Sequence, residues 1–414
     1  MVEQGIMDAY ARHMNAGMAK VLAFMGMDAT AVRAEGSFIW DSRGRRFIDF
    51  LGGYGAFNFG HRHPRIIAAV REQLDHMPLS CKLLVDAPAV EVAVKLSLIT
   101  PGLVSKFFFT NSGTESVEGA LKLARLATGR SGIIYTHGGF HGKTMGSLSA
   151  TGRDKHRTPF EPLLANFIEV PFGDVEALEK ALNEDISAVI LEPVQGEGGI
   201  NPAPKGYLKA VRKLTHKHGT LLIADEVQTG MGRTGYNFAC ERDGIEPDLI
   251  VLAKSLGGGV MPVGAIGGTP AVWAKFEDQP LIHSSTFGGG PMACAAASAA
   301  IDVLQEEKLA ERAERIGPAF LDDLKGLQHK YPQVLKEVRG VGLMIGLEFT
   351  SSDAAELAIA AILNKHVLIA FALNKPEVVR LEPPLNTPEE LFAEVLEVLD
   401  AALRETAEML EKFA

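Results

Sequence analysis

The sequence predicts an α/β protein with two domains, a large one on a mostly parallel sheet and a smaller α+β one. One observation is a series of short, unbroken apolar runs, which are typical of strands buried on both faces of a parallel sheet. Another is the helical spacing between most of these runs, since alternating strands and helices form a sheet covered on both sides. The predicted strands of the large sheet are residues 107–109, 133–135, 188–191, 221–224 and 249–253.

The start of the chain predicts part of the smaller domain. Residues 8–25 have helical spacing. Phe38–Asp41 and Phe47–Phe50 are short, mostly apolar segments on either side of a Ser42-Arg43-Gly44 turn, which predicts a hairpin. A loop rich in glycine follows over 52–61.

The end of the chain predicts the rest of the smaller domain. It becomes helical near Pro291, and then shows strands at 342–349 and 378–381 and a closing helix at 388–412. The predicted units are therefore an N-terminal segment of the small domain over 1–55, a large domain over 56–290, and a linking helix with the C-terminal small domain over 291–414.

Composition narrows the class of protein. The 414 residues are 47% hydrophobic and 22% charged, as in ordinary globular proteins. A net charge of −10 argues against nucleic acid or an anionic membrane as a partner. Cys81, Cys240 and Cys294 are far apart, which favours a reducing compartment and no metal site. The first residues lack the features of a signal peptide, so we expect a cytoplasmic protein.

Two charged residues follow neighbouring apolar runs. Asp225 ends the run at 221–224, and Lys254 follows the run at 249–253, 29 positions later. In parallel strands both residues lie at the carboxyl edge of the sheet, where α/β proteins bind ligands. A buried carboxylate and a buried amine could also simply pair with each other.

A second feature of this edge is a helix start after the strand at 107–109. Asn111-Ser112-Gly113-Thr114-Glu115 precedes apolar residues at helical spacing, and Ser112 with Glu115 fits a capping box. The N-terminus of a helix has free N–H groups and the positive end of the dipole, so it suits a phosphate. An ordinary helix cap is the alternative.

The segment Gly138-Gly139-Phe140-His141-Gly142-Lys143-Thr144 offers a competing phosphate site, because it ends like the P-loop of an ATPase. A P-loop requires glycine, four residues and then Gly-Lys-Thr. His137 stands at the position of the first glycine, and Gly138 is one place too late. We therefore disfavour the ATPase interpretation, which also leaves Lys254 and Ser112 without a role.

The pattern Asp225-Glu226-Val227-Gln228-x-Gly230, followed by Lys254, resembles class III pyridoxal-phosphate (PLP) aminotransferases. The resemblance extends over nearly the whole chain and is greatest to the putrescine and ornithine aminotransferase branch. It implies the PLP-dependent transferase fold type I, with a mostly parallel, seven-stranded large-domain sheet and a smaller α+β domain. The cofactor is then PLP.

The resemblance also implies roles for the residues at the sheet edge. Lys254 would hold PLP covalently and later carry a proton, and Asp225 would keep the pyridine nitrogen protonated. Ser112, Gly113 and Thr114 would hold the phosphate. The ring would be contacted by Phe140, His141, Glu192, Val227 and Gln228, of which Phe140 would stack on it and Gln228 would reach its hydroxyl.

Four further residues are assigned by resemblance. Tyr54 would line the substrate pocket, and Arg380 would bind the α-carboxylate of the 2-oxo acid. Glu197 would neutralise Arg380 when no carboxylate is present, because an unpaired buried guanidinium is costly. Thr286 would reach the phosphate of the partner subunit's cofactor, which implies a homodimer with shared active sites.

The predicted reaction moves an amino group from a diamine such as putrescine or cadaverine, or from an ω-amino acid such as ornithine, to a 2-oxo acid, with 2-oxoglutarate expected. Acetylornithine or 4-aminobutyrate aminotransferase, aminomutase, racemase and dialkylglycine decarboxylase are alternatives within the family. A PLP-binding regulator is the alternative outside it. Lys143 stands where ornithine enzymes have an arginine, which favours a diamine.

Overall fold

The computed structural model describes the backbone of residues 2–413 and the side chains of residues 5–412. Its largest element is a seven-stranded sheet. The strands in spatial order are β4 (Lys106–Thr110), β12 (Gly264–Gly268), β11 (Leu249–Leu252), β10 (Leu221–Asp225), β7 (Ile186–Leu191), β5 (Gly132–Thr136) and β6 (Phe167–Val170).

Only β12 runs against its neighbours in this sheet, so the prediction of a mostly parallel sheet is confirmed. The five predicted strands are all present, each within a residue or two of its predicted ends. Asp225 is the last residue of β10 and pairs in register with Val251 of β11. The carboxyl ends of β10 and β11 therefore lie side by side.

Two strands of the sheet were not predicted. β12 contains three glycines in five residues, a composition that is poor for a strand. The structure explains them, because a Cβ at Gly267 would lie 2.7 Å from the side chains of Ile250 and Phe107. β6 forms the edge of the sheet and is only partly buried, so its apolar pattern is weak.

Helices cover this sheet on both faces. They are α4 (Pro64–His76), α5 (Ala87–Ile99), α6 (Gly113–Thr128), α7 (Met145–Ser149), α8 (Asp154–Arg157), α9 (Val175–Ala181), α10 (Tyr207–His218), α11 (Pro270–Glu277) and α12 (Pro291–Glu306). A two-stranded ribbon of β8 (Val194–Gln195) and β9 (Asn201–Pro202) follows β7.

Two four-stranded sheets come from the ends of the chain. The first contains β1 (Ala31–Glu35), β2 (Phe38–Asp41), β3 (Arg46–Asp49) and β15 (Val367–Leu368), and the second contains β13 (Leu335–Val341), β14 (Met344–Phe349), β17 (Lys375–Leu381) and β16 (Ala370–Ala372). The predicted hairpin is the antiparallel pair β2 and β3. Because β15 pairs with β3, the N-terminal segment joins the C-terminal part of the chain.

The remaining helices pack in this second region. They are α1 (Val2–Tyr10), α2 (Ala16–Phe24), the short turn α3 (Gly52–Gly55), α13 (Leu309–Lys330), α14 (Ser352–Asn364) and α15 (Glu389–Phe413). The single helix predicted over 8–25 is broken into segments. A π-helical segment (Ala11–Asn15) separates α1 from α2, and the side chain of the extended Asn15 caps α2 by accepting from Met18 N. The domain boundaries near 55 and 290 stay predictions.

Within the described residues, no helix is long and apolar enough to cross a bilayer. The same residues contain no group of three histidine, cysteine or acidic side chains that could hold a metal ion.

Candidate active site

A cavity of about 630 Å³ opens at the carboxyl ends of the parallel strands. Ten of the predicted site residues line it: Ser112, Gly113, Thr114, Phe140, His141, Glu192, Asp225, Val227, Gln228 and Lys254. Because these residues come from the ends of five strands and the loops that follow them, the topology of the sheet alone brings them together.

The base of the cavity is a buried pair of Asp225 and His141. Asp225 Oδ2 lies 2.7 Å from His141 Nδ1, and Oδ1 accepts from Val227 N at 3.1 Å. Burial lowers the pKa of His141, but its hydrogen bond to Asp225 and the charge of Asp225 outweigh burial, so the pKa is raised. His141 therefore fixes the orientation of the carboxylate.

Glu192 lies behind this pair and clamps two loops. Its Oε1 accepts from Phe140 N at 2.9 Å, and its Oε2 accepts from Gly196 N at 3.0 Å. Burial, together with the charge of Asp225, raises the pKa of Glu192 to about 7 against the opposing effect of His141. These contacts make Glu192 a support for the loop that carries Phe140.

Lys254 begins a short 3₁₀ turn directly after β11 and has a φ of +47°. A left-handed conformation is uncommon for a residue with a side chain, and such residues cluster at functional sites. Burial lowers the pKa of the Lys254 amine, although the carboxylates of Glu197 and Glu382 oppose this effect. A lowered pKa favours the neutral amine, which can act as a nucleophile or accept a proton.

The start of α6 forms a cradle at one side of the cavity. Ser112 Oγ caps the helix by accepting from Glu115 N at 3.3 Å. The capping box is wrong in its second half, because the Glu115 carboxylate reaches one residue further and accepts from Asn111 N at 2.9 Å. A Cβ at Gly113 would lie 3.1 Å from the Val227 side chain, so this turn packs closely against Val227.

A group of hydroxyls beside the cradle was missed in the sequence. Thr114 Oγ1 lies 2.8 Å from Thr144 Oγ1 and 2.7 Å from Ser147 Oγ. Glu118 orders the group, because its Oε1 accepts from Thr144 Oγ1 and from the N–H groups of Gly146 and Ser147. The segment that resembles a P-loop thus packs against the first turn of α6.

Gln228 lies at the cavity, but its amide is already engaged. Its Nε2 donates to Glu382 Oε1 at 2.7 Å. Glu382 was not selected from the sequence, where it reads as an acidic residue before Pro383-Pro384. For the predicted contact with a ring hydroxyl, Gln228 therefore has its second Nε2–H group and its Oε1 available.

Three predicted substrate residues form a separate cluster that does not line the cavity. Both guanidinium Nη atoms of the buried Arg380 donate to the two carboxylate oxygens of Glu197, with Nη1 to Oε1 at 3.0 Å. The ring of Tyr54 covers the guanidinium at 5.0 Å and is 45% exposed. Tyr54 therefore contacts Arg380 rather than forming the cavity wall.

The charges of this cluster stabilise each other. Burial raises the pKa of Glu197, but the charge of Arg380 and its hydrogen bonds outweigh burial, and the pKa is lowered. Burial lowers the pKa of Arg380, but the charge and hydrogen bonds of Glu197 outweigh it in turn, and the pKa is raised. Both groups are therefore charged at neutral pH.

Thr286 and Lys143 are the two remaining residues of interest. Thr286 is exposed and does not line the cavity, although its neighbour Ser285 accepts from Asn111 Nδ2 at 3.3 Å. Lys143 lines the cavity and is also exposed. Its side chain therefore has access to both the cavity and solvent.

Several lining residues were not predicted: Ala56, Phe57, Asn111, Gly142, Ala253, Gly259, Val260, Met261, Pro262 and Val263. Phe57 could have been found from two glycine clusters, because its ring fills the space beside Gly53 and Gly259. A Cβ at Gly53 would lie 2.4 Å from that ring, and one at Gly259 would lie 2.6 Å from it. The 259–263 segment carries no comparable signal.

The chain belongs to the class III aminotransferase family, whose sequence model matches residues 24–403. The recognised resemblance, the fold and the activity of a PLP-dependent transaminase are thereby confirmed. The non-enzymatic PLP regulator and the ATPase are excluded as interpretations.

Solved structures agree with this assignment. The ornithine aminotransferase of Toxoplasma gondii ME49 is 31% identical, with a TM-score of 0.90 over 98% of this chain and 96% of that chain. The acetylornithine aminotransferase of Elizabethkingia anophelis is 32% identical, with a TM-score of 0.84 over 97% of this chain and 99% of that one. A second T. gondii ornithine aminotransferase structure, 31% identical over 97% of this chain and 98% of that one with a TM-score of 0.87, holds PLP at partial occupancy in its active site.

The cofactor of this class is PLP, and the cavity fits it. The start of α6 at Ser112, Gly113 and Thr114 faces the cavity, where helix N–H groups suit a phosphate. Asp225 supplies a buried carboxylate, and Lys254 supplies an amine at the same cavity. His141 Nε2 is buried without a hydrogen-bond partner among the described residues, which leaves it available beside the ligand.

Proposed function

We propose that this aminotransferase takes the amino group of a terminal amine and passes it to a 2-oxo acid, with 2-oxoglutarate as the principal acceptor. The supporting observation is the buried Arg380, whose guanidinium is held at two atoms by the Glu197 carboxylate. While Glu197 holds Arg380, a site of this kind accepts an amine that has no adjacent carboxylate. It accepts a 2-oxo acid when the substrate carboxylate replaces Glu197 on Arg380.

The proposed roles at the sheet edge are those that the family resemblance implies, and the shared cavity supports them. PLP, when bound, supplies an acceptor for the electron pair released as the substrate C–H bond breaks. Asp225, whose orientation is set by His141, would keep the pyridine nitrogen protonated. Lys254 would hold the cofactor covalently and, once released as a neutral amine, would carry a proton between the substrate carbon and the cofactor.

The other cofactor contacts are proposed for residues around the same cavity. Ser112, Gly113 and Thr114 bind the phosphate at the start of α6. Phe140 and Val227 would pack on the ring, and Gln228 would contact the ring hydroxyl. Glu192 positions Phe140 through the hydrogen bond to its backbone.

For the donor, we propose a diamine such as putrescine or cadaverine in preference to ornithine. With Arg380 neutralised by Glu197, the Arg380 cluster offers no partner to a donor carboxylate. At the far end Lys143 replaces the arginine of ornithine enzymes, and an ammonium cannot clamp a carboxylate at two points. Because Lys143 is exposed, its charge can remain in water while a distal ammonium binds.

The test is a donor screen with 2-oxoglutarate as acceptor, which compares kcat/KM for putrescine, cadaverine, ornithine, acetylornithine and 4-aminobutyrate. We expect a diamine to be the best donor. A carboxylated donor that is better by tenfold or more, about 1.4 kcal/mol in transition-state binding, overturns the donor proposal. A parallel screen of 2-oxo acids with the best donor tests the acceptor.

We also propose a homodimer with shared active sites. An apolar segment over 83–85 is strongly exposed, with Leu83 at 92% and Val85 at 86%, and such a patch marks an interaction surface. Lys82 beside it donates to Gly288 O at 2.7 Å, so the segment adjoins the loop that carries Thr286. A second copy that covers this surface would bring Thr286 towards the other subunit's phosphate. The cytoplasmic location stays a prediction.

Sedimentation and hybrid dimers test this arrangement. A mixture of inactive Lys254→Ala and Thr286→Ala chains should form hybrids in which one site has both native residues, so activity should exceed the sum of the separate variants. An active monomer in sedimentation would show that the sites are not shared.

A further inference from the structure

Glu382 lies between the cavity wall and the Arg380 cluster. It follows β17 directly and is fully buried. Its Oε1 accepts from Gln228 Nε2 at 2.7 Å, and its Oε2 lies 3.9 Å from Arg380 Nη1. Oε2 has no hydrogen-bond partner among the described residues. One carboxylate thus holds a cavity residue with one oxygen and faces the guanidinium with the other.

The backbone of Glu382 is fixed from several directions. Its N–H donates to Phe50 O at 2.7 Å, and the next carbonyl, of Pro383, accepts from Arg233 Nη1 at 2.6 Å. Gly52 packs so closely that a Cβ there would lie 2.0 Å from Glu382 O. The backbone of Glu382 is therefore held in place.

Glu197 reaches Arg380 from a different segment. It lies in the buried loop after β8, and its carboxylate also accepts from Leu373 N at 2.7 Å. Its backbone is held too, because Asn374 N donates to Glu197 O at 2.9 Å. Under the proposed function, the Glu197 side chain is the one that gives way to a substrate carboxylate, and Glu382 stays in place.

Charge explains why a second carboxylate near Arg380 matters. Arg380, Glu197 and Glu382 together carry one net negative charge, and the buried Arg233 is a further guanidinium that feels the charge of Glu382. While Glu197 gives way and before a substrate carboxylate replaces it, Arg380 keeps Glu382 as a nearby carboxylate. Without Glu382, the buried Arg380 would have no nearby carboxylate during that exchange, which is unfavourable.

We propose that Glu382 is the permanent counter-ion of Arg380 and a specificity-determining residue for the amine half-reaction. The proposal rests on the carboxylate exchange at Arg380 described under the proposed function. A substrate carboxylate that replaces Glu197 brings the same charge, so Glu382 changes its binding little. An entering ammonium instead gains the attraction of the extra negative charge, which favours cationic donors.

The first test measures binding to the PLP-loaded enzyme without turnover. Glu382→Gln removes the charge and keeps an oxygen that can accept from Gln228. Glu356→Gln is the control, because Glu356 is an exposed glutamate on α14. The probes are tetramethylputrescine, a tertiary diamine that cannot exchange with Lys254, and the dicarboxylate glutarate, both titrated by calorimetry.

For Glu382→Gln we expect diamine binding to weaken about tenfold, equal to about 1.4 kcal/mol, and glutarate binding to change by less than about threefold. Glu356→Gln should change neither. Equal changes for the two probes, or no change for the diamine, would overturn the role of Glu382.

The second test measures the two half-reactions separately in single turnovers. Glu382→Gln should slow the amine half-reaction about tenfold in kcat/KM and leave the oxo-acid half-reaction within about threefold. Glu382→Asp keeps the charge and should keep the wild-type ratio of the two. If Glu382→Gln fails to fold, Glu382→Asp decides. A tenfold fall in kcat/KM of its amine half-reaction relative to its oxo-acid half-reaction contradicts the proposal, and an unchanged ratio of the two supports it.

These outcomes are separable from a failure of the proposed function. If the screens identify another amine or another oxo acid, the same comparison is made with that pair of substrates. The diagnostic quantity is the change, from wild type to variant, in the ratio of the two half-reaction rates. An enzyme that prefers a carboxylated donor would refute the diamine proposal and leave the test of Glu382 intact. If Arg380→Ala leaves glutarate binding unchanged, the exchange at Arg380 fails, and the role of Glu382 fails with it.

Discussion

The two sides of this active site are built in different ways. Asp225 and Lys254 stand at the ends of adjacent parallel strands, and His141 joins Asp225 by a hydrogen bond of 2.7 Å. Arg380, by contrast, lies on β17 of a different sheet, and it meets Glu197 from a loop and Tyr54 from a turn near the N-terminus. The first side is positioned by strand register, and the second by side-chain contacts between distant segments.

This difference matches a division between the residues proposed for the reaction itself and the residues proposed to distinguish the substrates. Under the proposed roles, the groups that act in both half-reactions lie at the sheet edge. The groups that distinguish an amine from an oxo acid lie in the Arg380 cluster. Variants on the sheet edge should therefore impair both half-reactions, and variants in the Arg380 cluster should impair one more than the other.

The largest expected effect is on the sheet edge at Lys254. Lys254→Ala removes both the covalent attachment of PLP and the group that moves the proton, so turnover should fall by at least about 10⁴-fold in both directions. Borohydride reduction followed by peptide mapping locates the attachment in the wild type.

Lys143→Ala is the matched control, because Lys143 lines the same cavity. It should retain the covalent cofactor. PLP mapped to any lysine other than Lys254 would contradict the assignment.

A smaller but still large effect is expected at Asp225. Asp225→Asn keeps the shape and can still accept from His141, yet a neutral amide cannot hold a protonated pyridine nitrogen. The proton-transfer step should slow in both half-reactions by roughly 3–5 kcal/mol, which is hundreds- to thousands-fold. Single-turnover rates within a few-fold of the wild type would show that Asp225 is structural.

The Arg380 cluster should behave asymmetrically. Arg380→Lys keeps a positive charge beside Glu197 but loses the two-point contact with a carboxylate. We expect the oxo-acid half-reaction to slow about 10- to 100-fold and the amine half-reaction to change by less than about threefold. Rapid-mixing measurements of each half-reaction decide this. If both half-reactions slow equally, the Arg380 cluster does not distinguish the two substrates as proposed.

The same division explains what the sequence could reveal. The sheet edge was predictable, because a buried apolar run followed by a polar residue identifies a strand end, and strand ends of one parallel sheet share an edge. Glu382 was not, because its partner Gln228 is 154 positions away in the turn after β10, and only the fold brings the two side chains together. Likewise β12 was missed because its glycines fit packing contacts with Ile250 and Phe107 rather than a strand pattern.

The smallest expected effect concerns Tyr54, which makes the weakest contact in the Arg380 cluster. The Tyr54 ring covers the Arg380 guanidinium at 5.0 Å and is partly exposed, so the interaction is a cation–π contact of about 0.5–1 kcal/mol. Tyr54→Ala should therefore raise KM for the 2-oxo acid about two- to fivefold, with little change in the amine half-reaction. Tyr54→Phe keeps the aromatic face and should stay within about twofold of the wild type. If Tyr54→Phe instead loses as much as Tyr54→Ala, the hydroxyl rather than the ring contributes. Tyr54 would then act on the substrate, as the family resemblance implies, and not through Arg380.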